Sequence, residues 1–160
     1  MEFKFNEENQ NKLNTIISHY PVKKAAVMGA LWLAQEQSGW ISGEVMKEVA
    51  NQLEMTLEEV LGVVTFYTMY NQKPMGKFHL QVCTNVSCML RGGALIFDHI
   101  KLKLGIDDMH VTDDKMFSLE EVECMGSCGT APMIAINEDY FENLNISEVD
   151  NILESLKNKN

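Results

Sequence analysis

Apolar residues recur at helical spacing from Leu13 to Tyr67, then switch to strict alternation from Phe78 onward, so the chain predicts two architectures in series. Asn6 is placed to cap a first helix whose apolar face is Leu13, Ile16, Ile17 and Tyr20, stopped by Pro21. Residues 23–37 predict a second helix through Ala26, Val27, Ala30, Leu31, Leu33 and Ala34, ending near Gly39. Ser42 opens a third, with Val45, Met46, Val49, Ala50 and Leu53 on its buried side. Thr56 and Glu59 form a capping box for a fourth, carrying Val60, Leu61, Val64 and Tyr67. Short connections between such helices predict a small bundle.

The segment NQKPMG, residues 71–76, reads as a turn or linker, and two domains follow: a helical bundle over 1–72 and a second unit over 73–160. There KFHLQVC predicts a strand that ends at Cys83. Leu95, Ile96, His99, Ile100, Leu102 and Lys103 follow Gly92 and Gly93 at helical spacing, and Gly105 ends that helix. Phe117, Leu119 and Val122 predict a strand running into Cys124, and Met133 to Ile136 predict another, with Asn137-Glu138-Asp139 as the turn after it. Ser147 and Asp150 are read as the cap of a closing helix along Val149, Ile152, Leu153 and Leu156. The order β, α, β, β, α predicts an α/β fold with helices packed on a small sheet.

Charge narrows the partners. The formal net charge is −10. Residues 1–75 carry 6 basic against 9 acidic groups and residues 76–160 carry 7 against 14, so nucleic acid and anionic membrane are poor partners. No apolar run approaches a membrane span, and MEFKFNEENQ has neither a secretory nor a transit pattern, so the expected compartment is the cytoplasm, without direct membrane insertion. Thiols stay reduced there, which favours metal ligation over disulfides for closely paired cysteines.

The cysteines are the candidate chemistry. All 4 lie in two tight pairs, Cys83 and Cys88 in CTNVSC and Cys124 and Cys128 in ECMGSCG. Each pair is expected on a loop leaving a strand, so neighbouring strands would aim both pairs at one point. Four thiolates suit a 2Fe-2S cluster, and small residues such as Gly126, Ser127 and Gly129 let backbone N–H groups approach sulfur. Spacing excludes several rivals. A plant-type ferredoxin needs cysteine where Arg91 stands, bacterial C-x2-C-x2-C runs and the thioredoxin C-x2-C are absent, and no histidine pair accompanies the cysteines as in a Rieske centre. Structural zinc and unliganded or disulfide-bonded cysteines remain open on spacing alone. His19, His79, His99 and His110 are read as ordinary surface or half-buried side chains. With neither G-x-G-x-x-G nor a P-loop, the chain shows no site of its own for NADH, flavin or quinone, and no catalytic residue is assigned.

CTNVSCMLRG and ECMGSCGTAPMIAINEDYFENL, preceded by EVLGVVTFYTMYNQKPMGKFHLQVC and by YPVKKAAVMGALWLAQEQSGWIS, resemble the 2Fe-2S subunit family of the NADH-oxidising module of respiratory complex I, the E subunits of bacterial NADH:quinone oxidoreductase. The resemblance covers nearly the whole chain. It implies a helical bundle followed by a thioredoxin-like 2Fe-2S ferredoxin domain, with Cys83, Cys88, Cys124 and Cys128 as the cluster and metal ligands. It also implies an electron-transfer role beside a partner subunit that binds NADH and FMN and carries a 4Fe-4S cluster. The whole would sit within a respiratory complex on the inner face of the cell membrane. The diaphorase subunit of an NAD-linked hydrogenase or formate dehydrogenase is the alternative, and a zinc-stabilised interaction domain the more distant one. Such a fold offers a cis bond before Pro132, with a trans proline opening an edge strand as the alternative. Glu121 and Glu123 are expected to keep the potential low, and Met89 and Met125 to shield the cluster. Trp32, Trp40, Phe66, Tyr67, Met69 and Tyr70 are each expected first in core packing, with part of the set left to give the bundle a surface for its partner.

Overall fold

Capping chemistry sets where the first helices begin. A computed structural model describes residues 2–158 and divides the chain into two compact units, one ending at Pro74 and the other starting at Met75. In the first unit the Asn6 side chain accepts from Asn9 N–H at 2.8 Å and starts α1, Glu7–Ser18. The helix stops at Ser18, so Tyr20 lies beyond it and is exposed rather than on the apolar face. Residues 23–37 do not form a single helix. Val22 offers no side-chain cap, and the segment opens as a 3-10 turn, Lys23–Ala26, before α2, Val27–Ser38. Gly39 closes α2 at φ 81°, donating to Gln35 O at 2.7 Å. Ser42 caps α3, Gly43–Leu53, and the Thr56–Glu59 capping box starts α4, Leu57–Phe66.

These helices close on one core of Leu13, Leu31, Val49, Leu53, Val60 and Val64, with α2 against the other three. Removing a side chain such as Leu13, which has no exposed surface, is worth about 2–5 kcal/mol on the usual scale for core truncations. Leu61 turns out to solvent because Val60 and Val64, four residues apart, take the core-facing stripe. Phe66, Tyr67, Met69 and Trp32 are exposed, whereas Tyr70 is buried with its hydroxyl donating to Met28 O at 3.0 Å and is no part of that surface.

The second unit is built on a five-stranded sheet of order β2-β3-β1-β4-β5. The strands are β1 Phe78–Cys83, β2 His110–Val111, β3 Phe117–Val122, β4 Ile134–Ile136 and β5 Asp139–Phe141. Its helices are α5 Val86–Leu90, α6 Gly93–Leu104 and α7 Ile146–Lys157. β1 and β3 run parallel, joined through α6, while β4 pairs antiparallel with β1. Leu80, Val82, Phe117 and Leu119 share one sheet face and pack with Ile96, Phe97, Ile100, Val149 and Leu153 of α6 and α7. Leu95 and Leu102, expected on the buried side of α6, are 70% and 84% exposed.

Three short elements, β2, β5 and α5, add to the expected order. The last helix is capped by Asn145 with Glu148, two residues before the expected Ser147 box. His79 is buried, not at the surface, because β3 offers it partners in register: Ser118 Oγ at 2.9 Å from Nδ1 and Glu120 Oε2 at 3.0 Å from Nε2. Burial opposes charge on Glu120, but hydrogen bonds from His79 and Gln81 hold its carboxyl below the usual value. Among the described residues no helix is long and apolar enough to cross a membrane.

Candidate metal centre

The parallel pairing of β1 with β3 aligns Cys83 with Val122, so both chains leave the sheet side by side at one end. The contact continues past the strands: Thr84 N–H donates to Val122 O at 3.2 Å, and the Cys83 thiol donates to Glu123 O at 3.6 Å. Neighbouring strands thus supply the condition the cysteine spacing required. On the other side, Cys83 N–H donates to Met133 O at 3.3 Å, just after the Ala131–Pro132 peptide, which is cis, one of the two readings left open.

Cys88 sits on α5 rather than in a loop. Asn85 caps that helix through a 2.6 Å bond from Val86 N–H, and α5 packs against the 3-10 turn Cys128–Thr130. Cys83 and Cys88 are 4% and 2% exposed and form a buried cluster with Ala131 and Met133, bordered by Val122 and Met125. Cys124 and Cys128 are exposed. The turn that carries them has Gly126 at φ 80°, which points its N–H at Cys124 Sγ, 3.4 Å away.

The second turn is laced from outside. Glu142 accepts from Ser127 Oγ and, at 2.6 Å, from Thr130 Oγ1, and these hydroxyls hold its carboxyl below the ordinary glutamate value. Tyr140 donates to Met125 O at 3.1 Å. On the first arm, Thr84 donates to Glu121 at 2.7 Å and Asn85 to Glu123 at 3.3 Å, so both expected acidic neighbours are tied to the cysteine loops.

All four cysteines are free thiols. Burial, then the hydrogen bond with Cys83, then the charges of Cys83 and Cys128 push the Cys88 thiol up to about 11. A thiol raised in this way stays protonated at neutral pH, and a bound cation would favour its thiolate. Cys83 and Cys88 thus lie together in the buried cluster, while Cys124 and Cys128 are exposed on the second turn. Among the described residues no three His, Cys, Asp or Glu side chains are arranged to hold a metal ion. Met125 borders the two buried thiols, whereas Met89 is 53% exposed and is not among the residues packed against them. Sequence reasoning misses Met133, Tyr140 and Glu142 at this site. Met133 has a signal in its place after Pro132, whereas the other two act across the hairpin at Asn137-Glu138-Asp139, whose turn is legible but whose side-chain contacts with the cysteine loop are not.

The sequence matches the thioredoxin-like [2Fe-2S] ferredoxin family over residues 13–157. The chain belongs to that family. It is 45% identical over 159 residues to the E subunit of NADH-quinone oxidoreductase from Rickettsia bellii (strain RML369-C), covering 98% of this chain and 95% of that protein. Against the NADH-quinone oxidoreductase E 2 subunit of Rhizobium meliloti (strain 1021) the identity is 38% over 148 residues, covering 92% and 88%. The resemblance to complex I E subunits is thus borne out. A crystal structure of an NAD+-reducing [NiFe]-hydrogenase in the air-oxidized state superposes with a TM-score of 0.71 at 18% identity. It spans 82% of this chain and 23% of the hydrogenase chain, a likeness of fold.

Proposed function

We propose that this chain is an electron-transfer subunit of NADH-quinone oxidoreductase and holds one 2Fe-2S cluster through Cys83, Cys88, Cys124 and Cys128. The observation that carries the reading is the register that sets Cys83 beside Val122 and so releases both cysteine arms at the same end of the sheet. The donor set suits the group by its chemistry, not by a spacing already closed around a metal: four sulfurs, two of them in an apolar pocket, are the soft thiolates such clusters require. When bound, the cluster supplies one-electron exchange.

This chain's own residues do the rest. Cys83 and Cys88 exclude water through Ala131 and Met133, Gly126 offers an N–H to sulfur, and Glu121 and Glu123 add negative charge that favours a low potential. Hydride chemistry belongs to a partner subunit that binds NADH and FMN and carries a 4Fe-4S cluster, from which electrons arrive one at a time. The helical domain, 1–72, presents Phe66, Tyr67, Met69 and Trp32 toward that partner, and the ferredoxin domain, 73–160, carries the redox centre. The assembly lies on the cytoplasmic side of the cell membrane, attached through the larger respiratory complex. The identities with E subunits favour this reading over a hydrogenase diaphorase, for which the likeness is one of fold.

Anaerobic purification of the full chain tests it. The expected product is red-brown, contains iron and labile sulfide in equal amounts, bleaches on reduction and then gives a one-electron paramagnetic signal. A colourless protein with stoichiometric zinc would end the proposal.

A further inference from the structure

Gly93, the first residue of α6, is buried where the main chains of Cys83 and Cys88 converge. A Cβ at this position would lie 2.6 Å from the Cys83 carbonyl oxygen and 3.0 Å from both the carbonyl carbon and oxygen of Cys88. These neighbours are backbone, so neither can swing aside as the end of a long side chain would. The other glycines near the cysteines differ: Gly92 and Gly126 serve left-handed turns, and a Cβ on Gly92, Gly126 or Gly129 would meet nothing within 4 Å. Gly76 is as crowded, but against Phe117 and Ser118 of β3.

We propose that Gly93 is a positioning residue for the cluster: its missing side chain sets the separation of the Cys83 and Cys88 main chains, and thereby of their sulfurs. This rests on the ligand assignment proposed above. To admit a methyl group, the start of α6 and the Cys83 carbonyl must separate from 2.6 Å to beyond 3.0 Å, below which real Cβ contacts essentially never fall. Metal–ligand distances tolerate only about 0.2 Å, so a displacement of that size is felt at the metal. Because β1 is fixed by pairing on both edges, the start of α6 yields, and α5, a single short turn two residues ahead of it, is carried along with Cys88.

The test is Gly93→Ala in the full chain beside Gly62→Ala, a helical glycine of the first unit whose Cβ would meet nothing within 4 Å. Three readouts are taken: the rate of iron loss to a chelator, the line shape of the reduced paramagnetic signal, and alkylation of each cysteine in the iron-free chain. For Gly93→Ala we expect an unchanged circular dichroism spectrum and an altered line shape. We also expect iron loss about 10–100-fold faster, as for other changes to groups that support metal ligands, and faster alkylation of Cys83 and Cys88 but not of Cys124. Gly62→Ala matches the unsubstituted chain throughout. Iron retention, line shape and alkylation all unchanged in Gly93→Ala overturn the proposal, and so does loss of the folded spectrum, which makes Gly93 a folding residue. If the unsubstituted chain takes up no iron, the ligand assignment fails instead, and the alkylation pattern alone decides for or against Gly93.

Discussion

The two cysteine arms solve one problem by opposite means. The first is a main-chain construction: Cys83 ends a paired strand, Cys88 rides a capped turn of helix, both thiols are buried, and Gly93 fills the angle between them. The second is an exposed turn whose shape depends on side chains from the hairpin side, Glu142 on Ser127 and Thr130 and Tyr140 on Met125. A site made this way has a wall that resists solvent and a rim that remains open. The wall fixes geometry, and the rim leaves Cys124 and Cys128 open to solvent.

The largest contrast is expected from removing one ligand on each arm. Cys88→Ala and Cys124→Ala should both cripple iron binding. Only the buried change should also weaken the iron-free fold, by about 0.5–3 kcal/mol, against about 0.5 kcal/mol or less at the exposed position. Amide exchange along β1 measures the difference, and equal losses would erase the distinction between wall and rim.

A smaller effect is expected at the rim. Glu142→Ala should speed iron loss a few-fold while leaving alkylation of Cys83 and Cys88 unchanged. Acid sharpens this. Hydroxyl donors lower the carboxyl of Glu142 below its ordinary 4.5, so its clasp is fully present above that pH and fades as pH falls through the lower folded value. The gap in iron retention between the unsubstituted chain and Glu142→Gln should therefore close in that acid window. A gap that persists there would remove the carboxylate from the clasp.

The smallest effect belongs to Asn85→Ala. Losing the cap of α5 should cost about 1 kcal/mol and appear as faster exchange of the Val86 and Met89 amides, with iron retained. Unchanged exchange would mean that packing alone holds the turn.

Much of this arrangement is legible in the order of residues alone. The caps at Asn6, Ser42 and Thr56 show because their chemistry is local, and the strand into Cys83 shows because alternation needs only six residues. α5 does not, since VSCML is shorter than two helical turns and displays no period. Ser147 and Asn145 compete as caps of the last helix because both precede an acidic residue by three. The choice between them depends on which frame turns Val149, Leu153 and Leu156 inward. His79 looks like an ordinary polar position of a strand because its partners stand across the sheet, and only the β1–β3 register brings Ser118 and Glu120 to it. Glu142 lies on the far side of a hairpin from the hydroxyls it binds, a relation that composition does not encode.

Parallel alignment of β1 and β3 reaches further than the strands themselves. Sliding one past the other by a single residue would shift its arm by about 3.3 Å and turn Leu80 or Leu119 from oil to water. The hydrocarbon side of the sheet thus acts as a ruler for the sulfur end: a lapse in measurement is penalised in the core before it is felt by iron. Substitutions that merely blur the greasy alternation of β1, far from any thiol, are for that reason errors of redox geometry as well as of packing.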